Sequence, residues 1–369
     1  MNVQQASRSA PRLKQTRPIL ITGGAGFIGC NLADRLAEAG RDVVVLDSLS
    51  RPGVEVNLEW LADRHPRRIS RVVGDVRDAA LVADLIKDVS AVFHLAAQVA
   101  VTTSLDDPSQ DFDVNLRATL GLLEAVRQSN RVPFIFASTN KVYGDLADLE
   151  LEQRPEAYRP VDPRVRRNGI NEQRSLCFHT PYGCSKGAAE QYVLDYAHSF
   201  GLPTAVLRMS CIYGPRQLGT EDQGWIAHFL ISALRGRPIT IYGDGRQVRD
   251  ILHVDDAVKA YLRILESISQ VRGRAFNLGG GPSNAVSLRQ VLAHIETILE
   301  RRIEVVFADW RPGDQRYYVS DMRLLTSVVG LAAPRPYASG VRDLARWLTR
   351  SHARKAGDRT QRSLAQVRQ

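Results

Sequence analysis

Near its start the chain reads Gly23-Gly24-Ala25-Gly26-Phe27-Ile28-Gly29. An apolar run at 18–22 precedes this stretch, and apolar residues at helical spacing follow it over 28–39. Glycines at this point let a strand turn sharply into a helix, and they let backbone N–H groups approach a pyrophosphate at the helix N-terminus. A second apolar run at 43–46 completes a strand–helix–strand unit. The alternative interpretation is a tight turn with only a structural role.

Asp47 closes the second strand, about 20 residues beyond the glycine turn. A carboxylate there can accept hydrogen bonds from both hydroxyls of an adenosine ribose, and it repels a 2′-phosphate. We therefore expect NAD as the cofactor, in preference to NADP. The residues expected to hold it around this turn are Gly23, Gly26, Phe27, Ile28, Gly29 and Asp47.

The alternation of strands and helices continues well beyond this unit. It predicts strands at 71–73, 91–95, 133–137 and 204–208, and helices at 79–88, 112–128 and 184–200. This order is typical of an α/β fold of the Rossmann type, a doubly wound parallel sheet with helices on both faces. We expect residues 18–208 to form this NAD-binding domain.

The pattern loosens after residue 208. Short strands, including one near 275–278, and several helices predict a smaller C-terminal lobe over 209–348. The segment 145–180 is long, polar and rich in arginine. Because both its ends abut candidate motifs, we expect it to border the active site and not to be a mere disordered insertion.

The net charge of +9 resides in the two ends of the chain, since 1–17 and 350–369 together account for all of it. We expect disordered basic tails at 1–17 and 349–369, and no folded groove for nucleic acid. No apolar run reaches the length of a membrane helix, and the polar, Arg-bearing start lacks the apolar core of a signal peptide, so we expect a soluble, cytoplasmic protein. The four cysteines lack metal-ligand spacing, and neither a metal site nor a disulfide framework is expected.

Further candidates follow the later strands. Asp75 and Val76 could bracket the adenine, although Asp75 could equally be an ordinary strand-end acid. The run Leu95-Ala96-Ala97-Gln98 supplies small residues where the backbone must pass close to a cofactor. Thr139, at the end of the fifth strand, offers a hydroxyl that could bind a reacting oxygen. Asn115 is expected to have a structural role.

Tyr182 and Lys186 are one helical turn apart, so both side chains can lie on one face. An ammonium group beside a phenol lowers the pKa of the phenol and makes tyrosinate accessible as a general base near neutral pH. Such a pair is common by chance, but here it follows a glycine-rich turn and five strands. We therefore expect Tyr182 and Lys186 to be catalytic.

Together these motifs resemble the extended short-chain dehydrogenases/reductases, the NAD-dependent epimerase/dehydratase family. The resemblance covers 18–348 and rests on the glycine turn, Asp47, 139–144, Tyr182 with Lys186, 208–216 and 249–256. Within the family, the segments 138–144, 181–187 and 208–216 look most like the CDP-paratose 2-epimerases.

This resemblance implies an NAD-dependent inversion at carbon 2 of a nucleotide-sugar through a transient 2-keto intermediate. Tyr182 would remove the hydroxyl proton, Lys186 would hold the tyrosinate and the nicotinamide ribose, and Thr139 would bind the oxygen. Arg208 would join Tyr182 and Lys186 in contacting the cofactor. The resemblance also implies a homodimer that packs the helices near 112–128 and 184–200 against a partner.

The substrate implied is a nucleotide-diphosphate sugar held by the smaller lobe. Asn140, Lys141, Arg249 and Arg311 are its expected contacts, although each arginine could instead form a surface ion pair with a neighbouring aspartate. Asn140 and Lys141 stand where the 4,6-dehydratases of this family carry an Asp-Glu acid pair, so we do not expect a dehydratase.

Two alternatives stay open at this point. One is a 4-epimerase acting on UDP-glucuronate or UDP-glucose with the same Thr, Tyr and Lys residues. The other is an NAD-sensing binding protein that kept the fold and lost turnover, since a fold does not by itself give a function. The sequence leaves the nucleotide base and the oligomeric state undetermined.

Overall fold

The computed structural model describes residues 17–350. The expected tails at 1–17 and 349–369 lie outside this range except for Arg17, Thr349 and Arg350, and the last two belong to a helix. In chain order the strands are β1 (Ile19–Thr22), β2 (Val43–Asp47), β3 (Ile69–Val73), β4 (Ala91–His94), β5 (Phe134–Thr139), β6 (Leu151–Gln153), β7 (Tyr158–Pro160), β8 (Thr204–Met209), β9 (Cys211–Tyr213), β10 (Ile239–Tyr242), β11 (Val248–His253), β12 (Arg274–Leu278), β13 (Ala285–Ser287), β14 (Val305–Ala308) and β15 (Tyr317–Tyr318).

The helices alternate with these strands. They are α1 (Phe27–Glu38), α2 (Glu55–Arg64), α3 (Ala79–Ile86), α4 (Val101–Asp106), α5 (Pro108–Phe112), α6 (Ala118–Gln128), α7 (Pro163–Asn168), α8 (Thr180–Ser199), α9 (Trp225–Leu234), α10 (Val254–Glu266), α11 (Ile268–Val271), α12 (Leu288–Leu299), α13 (Arg323–Val329) and α14 (337–350). A π-helical turn at Asp113–Arg117 joins α5 to α6.

Seven parallel strands form the large sheet, in the spatial order β3-β2-β1-β4-β5-β8-β12. Every residue of β1, β4 and β5 is buried, as expected where helices cover both faces of a parallel sheet. One face packs α1, α10 and α13 into a hydrophobic cluster, and the other packs α3, α6 and α8. The predicted doubly wound Rossmann-type fold is confirmed.

We expected the strand near 275–278 to belong to the smaller lobe, and this expectation is wrong. The strand is β12, which pairs in parallel with β8 and forms one edge of the large sheet. Phe276 and Leu278 are buried there. Without β12, the apolar strand β8 would present an unpaired edge, which proteins avoid.

The smaller lobe centres on β11, which pairs with β9, β13 and β15. The separate parallel pair of β10 and β14 lies in the same lobe, and α9, α12 and α14 share a hydrophobic cluster there. Because β9 follows β8 directly along the chain, the lobe begins at the carboxyl edge of the large sheet. That edge is where ligands bind in sheets of this type.

The segment 145–180 folds, but it does not line the main cavity. It contains the β6–β7 hairpin and α7, and the Tyr158 hydroxyl donates to Asp244 of the smaller lobe over 2.8 Å. None of its residues contributes to the cavity described below. Its polar residues pack against the smaller lobe, and its last residue, Thr180, begins the helix that carries Tyr182. The expectation that it borders the active site stays a prediction.

Candidate active site

The glycine turn brings three pieces of backbone into close contact. Gly23 has φ 69°, and a Cβ atom there would lie 2.6 Å from the backbone nitrogen of Ala96. A Cβ atom on Gly29 would lie 2.3 Å from the carbonyl oxygen of Gly23. Side chains at these positions would fill the cradle at the N-terminus of α1, where a pyrophosphate is held in sheets of this type. These residues fit the dinucleotide that the sequence predicts.

Asp47 is fixed by backbone donors on both sides. Its Oδ2 accepts from the N–H of Ala25 over 3.0 Å and its Oδ1 accepts from the N–H of Leu49 over 2.9 Å. Each carboxylate oxygen keeps a further lone pair for a ribose hydroxyl. Asp75 lines the same region and pairs with Arg77, whose hydrogen bond lowers the pKa of the Asp75 carboxyl.

One cavity of about 640 Å³ runs from the glycine turn to the smaller lobe. It brings together nearly all of the predicted site residues. These are Gly23, Gly26, Phe27, Ile28, Gly29, Asp47, Asp75, Val76, Leu95, Ala96, Ala97, Gln98, Thr139, Asn140, Lys141, Tyr182, Arg249 and Arg311. Two predicted residues, Lys186 and Arg208, do not line it.

Thr139 and Tyr182 lie at the middle of the cavity. Thr139 ends β5, and its Oγ1 accepts from the N–H of Lys141 over 3.2 Å. Tyr182 lies in the first turn of α8. Burial raises the pKa of Tyr182 to about 12, and a hydrogen bond with the Thr139 side chain opposes this rise. A hydroxyl and a phenol therefore meet where a sugar can reach both.

Lys186 lies one turn further along α8 and is buried beneath the cavity wall. Its Nζ is 4.0 Å from the centre of the Phe136 ring, and the residue is 3% exposed. Burial lowers the pKa of Lys186 to about 7, against the opposing effect of the Asp111 and Glu190 carboxylates. We expected Lys186 to lower the pKa of Tyr182, but burial governs the pKa of both groups.

Arg208 does not line the cavity, and its predicted contact with the cofactor stays a prediction. Its Nη2 donates to Glu190 over 2.5 Å, and its Nη1 donates to the Tyr143 hydroxyl over 2.9 Å. Glu190 also accepts from the Ser138 hydroxyl over 2.6 Å. Arg208 therefore ties β8, α8 and the end of β5 together below the site.

Basic groups lie at the far end of the cavity. The Arg249 side chain, 8% exposed, donates to Asp314 over 2.6 Å. Lys141 donates to the carbonyl oxygen of Gly313 over 2.9 Å, and its Nζ is 3.9 Å from Asp314. Burial lowers the pKa of Lys141 to about 8.

Arg311 belongs to a second group at the same end. Its guanidinium carbon lies 3.8 Å from the centre of the Tyr242 ring, and its Nη2 is 3.3 Å from Asp222 and 3.7 Å from Glu221. Both expected arginines thus line the cavity and both are paired to carboxylates. Guanidinium groups in this setting can bind phosphate oxygens in bidentate fashion.

Sequence reasoning missed several residues of the site. Gln217, Trp225 and Asp314 line the cavity, and Asp111 is fully buried among the polar groups behind Tyr182. Asp314 lies three residues after Arg311, and Gln217 directly follows the motif at 208–216, so both are close in sequence to candidate residues. No pattern marked Asp111, because its partners come from distant parts of the chain.

Asn115 has the structural role that the sequence analysis expects of it, and His94 has a structural role as well. His94 lies within hydrogen-bond distance of Thr22 (2.7 Å) and Thr119 (2.9 Å), and burial lowers its pKa to about 3. Asn115 bonds the backbone of Gln98 through both its amide oxygen and its amide nitrogen. Within residues 17–350, no group of three or more His, Cys, Asp or Glu side chains could hold a metal ion, and no helix is long and apolar enough to cross a membrane.

Comparison with known proteins agrees with this arrangement. The sequence model of the NAD dependent epimerase/dehydratase family matches residues 19–279. The chain is 42% identical over 337 residues to the CDP-paratose 2-epimerase of Salmonella typhi, which covers 89% of this chain and 98% of that protein.

Two solved structures have the same overall architecture. The UDP-glucose 4-epimerase of Thermotoga maritima with UDP-glucose has a TM-score of 0.77 and 30% identity, covering 90% of this chain and 99% of that chain. The UDP-glucuronic acid 4-epimerase of Bacillus cereus, in complex with UDP-glucuronic acid and NAD, has a TM-score of 0.78 and 26% identity. The match covers 90% of this chain and 99% of that chain.

Proposed function

The chain belongs to the NAD dependent epimerase/dehydratase family, and from that premise we propose that it inverts carbon 2 of a CDP-linked sugar. It is an NAD-dependent nucleotide-sugar epimerase. The observation that carries the finer assignment is the 42% identity to a CDP-paratose 2-epimerase over 98% of that protein's length. The same comparisons do not favour the interpretation as a non-catalytic NAD sensor.

Thr139 and Tyr182 carry the proton chemistry in this proposal. Tyr182 removes the proton from the hydroxyl on carbon 2, and Thr139 holds the oxygen through its own hydroxyl. NAD, which the glycine turn and Asp47 would hold, would supply the reversible hydride acceptor that oxidation at carbon 2 and re-reduction from the opposite face require. Tyr182 then returns the proton to the oxygen, so the substrate and its epimer differ only at carbon 2.

Lys186 acts from behind the phenol. Its buried position over Phe136 keeps it in place without solvent, one helical turn from Tyr182. In its charged form it would favour the tyrosinate form of Tyr182 against the effect of burial. Its contact with the nicotinamide ribose remains a prediction, because the side chain does not line the cavity.

Lys141, Arg249 and Arg311 hold the nucleotide diphosphate in this proposal, and the smaller lobe over 209–348 supplies most of the residues around it. Asn140 lines the cavity next to Thr139, and its amide donates to Gln315 over 3.3 Å. Neither Asn140 nor Lys141 is a carboxylic acid that could protonate a leaving hydroxyl. This argues against elimination of water.

The test is to incubate the purified protein with CDP-, UDP- and dTDP-sugars without added cofactor and to follow the ring protons by NMR. We expect inversion at carbon 2 of a CDP-sugar. Inversion at carbon 4 of a UDP-sugar would overturn the proposal in favour of a 4-epimerase. Tyr182→Phe should abolish turnover, whereas Tyr192→Phe, which changes an exposed tyrosine of the same helix, should not.

We also propose a homodimer and a cytoplasmic location. Leu105, Phe112 and Tyr192 are each more than 40% exposed and lie on α4, α5 and α8, which contact one another. Large exposed apolar side chains in one region are typical of an interface. Light scattering that shows a monomer at micromolar concentration would exclude the dimer.

All four cysteines are free thiols, as is usual in a reducing compartment, and this supports the proposed cytoplasmic location.

A further inference from the structure

Asp111 is a buried carboxylate with no role in the mechanism given so far. It lies in the short helix α5 and has no exposed surface. Among the described residues it forms no ion pair with a lysine, arginine or histidine. A buried carboxylate is costly unless hydrogen-bond donors compensate it, so its partners decide why it is there.

Three side chains donate to this carboxylate. Oδ1 accepts from Nε2 of Gln98 and from Nδ2 of Asn115, each over 3.1 Å. Oδ2 accepts a short hydrogen bond from the hydroxyl of Ser185. Both carboxylate oxygens are therefore satisfied, and every donor comes from a different element of the fold.

These donors connect the two sides of the active site. Gln98 lines the cavity beside the glycine turn, and its backbone is held by Asn115. Ser185 lies on α8 between Tyr182 and Lys186, and its hydroxyl is 3.2 Å from the carbonyl oxygen of Tyr182. The Asp111 carboxylate thus links two parts of the site. One is the Gln98 segment, whose backbone is expected to lie close to the cofactor, and the other is the turn of α8 that carries Tyr182, the proposed base.

We propose that Asp111 is a positioning residue for the epimerisation, which fixes the first turns of α8 against the Gln98 segment and places a buried negative charge behind Tyr182 and Lys186. This inference rests on the proposed assignment of Tyr182 as the base. Asp111 does not touch substrate or cofactor, because it does not line the cavity.

The charge of Asp111 acts on both catalytic groups. It raises the pKa of Tyr182, in the same direction as the larger effect of burial. It also raises the pKa of Lys186, where the larger effect of burial acts in the opposite direction. The other charged or titratable groups that face Lys186 are Glu190, which raises its pKa, and His94. Glu190 is neutralised by Arg208, so Asp111 is the buried acid near the base that lacks an ion-pair partner.

Asp111→Asn removes the charge and keeps the shape. Without the negative charge the pKa of Tyr182 and that of Lys186 both fall, so both limbs of the kcat/KM profile move to lower pH. We expect a displacement on the order of one pH unit. We also expect kcat to fall on the order of 10-fold to 100-fold, because the helix start is less well fixed.

Asp113→Asn is the matched control, since Asp113 is two residues away but only half-buried and paired with Arg117. It should leave both the height and the position of the pH profile unchanged. An Asp111→Asn protein that folds, retains NAD and gives the same profile as Asp113→Asn would overturn the proposal. A merely structural role would lower the profile without displacing it.

Ser185→Ala keeps the inference testable if Asp111→Asn fails to fold. It breaks the link to α8 but leaves the charge, so we expect a lower kcat with an undisplaced pH profile. Wild-type kcat in Ser185→Ala would contradict the positioning role. Tyr182→Phe in the same assay separates the two ideas, because normal turnover in that variant would refute the assigned base, whatever Asp111→Asn shows.

Discussion

The two ends of the cavity are built in different ways. The cofactor end is shaped by backbone, since Gly23 and Gly29 leave no room for a side chain and Asp47 is held by two N–H groups. The substrate end is shaped by charged side chains, with Arg249 paired to Asp314 and Arg311 close to Asp222. The first end is preformed, whereas at the second, in the proposed binding mode, an incoming diphosphate would compete with carboxylates already in place.

This difference predicts how each end responds to substitution. A backbone cradle fails as a whole when one Cβ atom is added, because neighbouring backbone cannot move aside cheaply. An ion pair can exchange partners, and the exchange affects affinity more than fold. The three predictions below test this contrast, and they begin with the largest expected effect.

Gly23→Ala should remove the cofactor. The new Cβ would lie 2.6 Å from the Ala96 nitrogen, at a residue with φ 69°. We expect no bound NAD in the purified variant and epimerisation reduced at least about 100-fold. The measurement is NAD released on denaturation, together with turnover.

The control is Gly40→Ala, at φ 79° with no atom within 4 Å of the added Cβ. It incurs the conformational cost without the clash, so it should lose on the order of 1 kcal/mol of stability and keep its NAD. Equal NAD content in Gly23→Ala and Gly40→Ala would show that the cofactor end is not a rigid cradle.

Arg249→Ala should weaken substrate binding and spare the cofactor. Loss of a hydrogen-bonded charge from a phosphate typically costs about 1.5–3 kcal/mol, so KM for the nucleotide-sugar should rise roughly 10-fold to 100-fold. Arg246→Ala, three residues earlier and paired with Asp244 outside the cavity, is the control. A fall in NAD content with unchanged KM would contradict the division between the two ends.

Asp314→Asn should have the smallest effect, and in the opposite direction. It frees Arg249 and Lys141 for the diphosphate, so KM should fall about 2-fold to 3-fold, while the substrate-free protein loses roughly 1 kcal/mol of unfolding free energy. Asp309→Asn, at an exposed position nearby, should change neither. A higher KM in Asp314→Asn would mean that Asp314 itself binds the substrate.

Local patterns were enough to predict that the residues expected to bind the cofactor lie together along one cavity. The glycine turn, Asp47 and the strand ends at Leu95 and Thr139 converge because parallel strands place their carboxyl ends at one edge of a sheet. The 3.6-residue period likewise placed Tyr182 and Lys186 on one helix.

The errors arose where partners are distant in sequence. Strand β8 is almost fully buried on both faces, so its sequence shows no alternation of apolar and polar residues. The sequence therefore did not indicate that Arg208 lies away from the cavity and donates to Glu190. Asp111 depends on Gln98 and Ser185, which approach it only after folding. The strand β12 is read correctly as a strand, but sequence does not say which sheet it joins.

The position of β12 also bears on how the polypeptide is made. Residues 274–278 complete the large sheet, yet 64 residues separate them from the end of β8, and these residues form β9, β10, β11, α9, α10 and α11. Throughout that interval the nascent chain carries an open, apolar strand edge, which is a site of mispairing. A chain arrested at residue 208 would retain that edge permanently, so the Rossmann half is expected to need its downstream strand, or a chaperone, to stay monodisperse during synthesis.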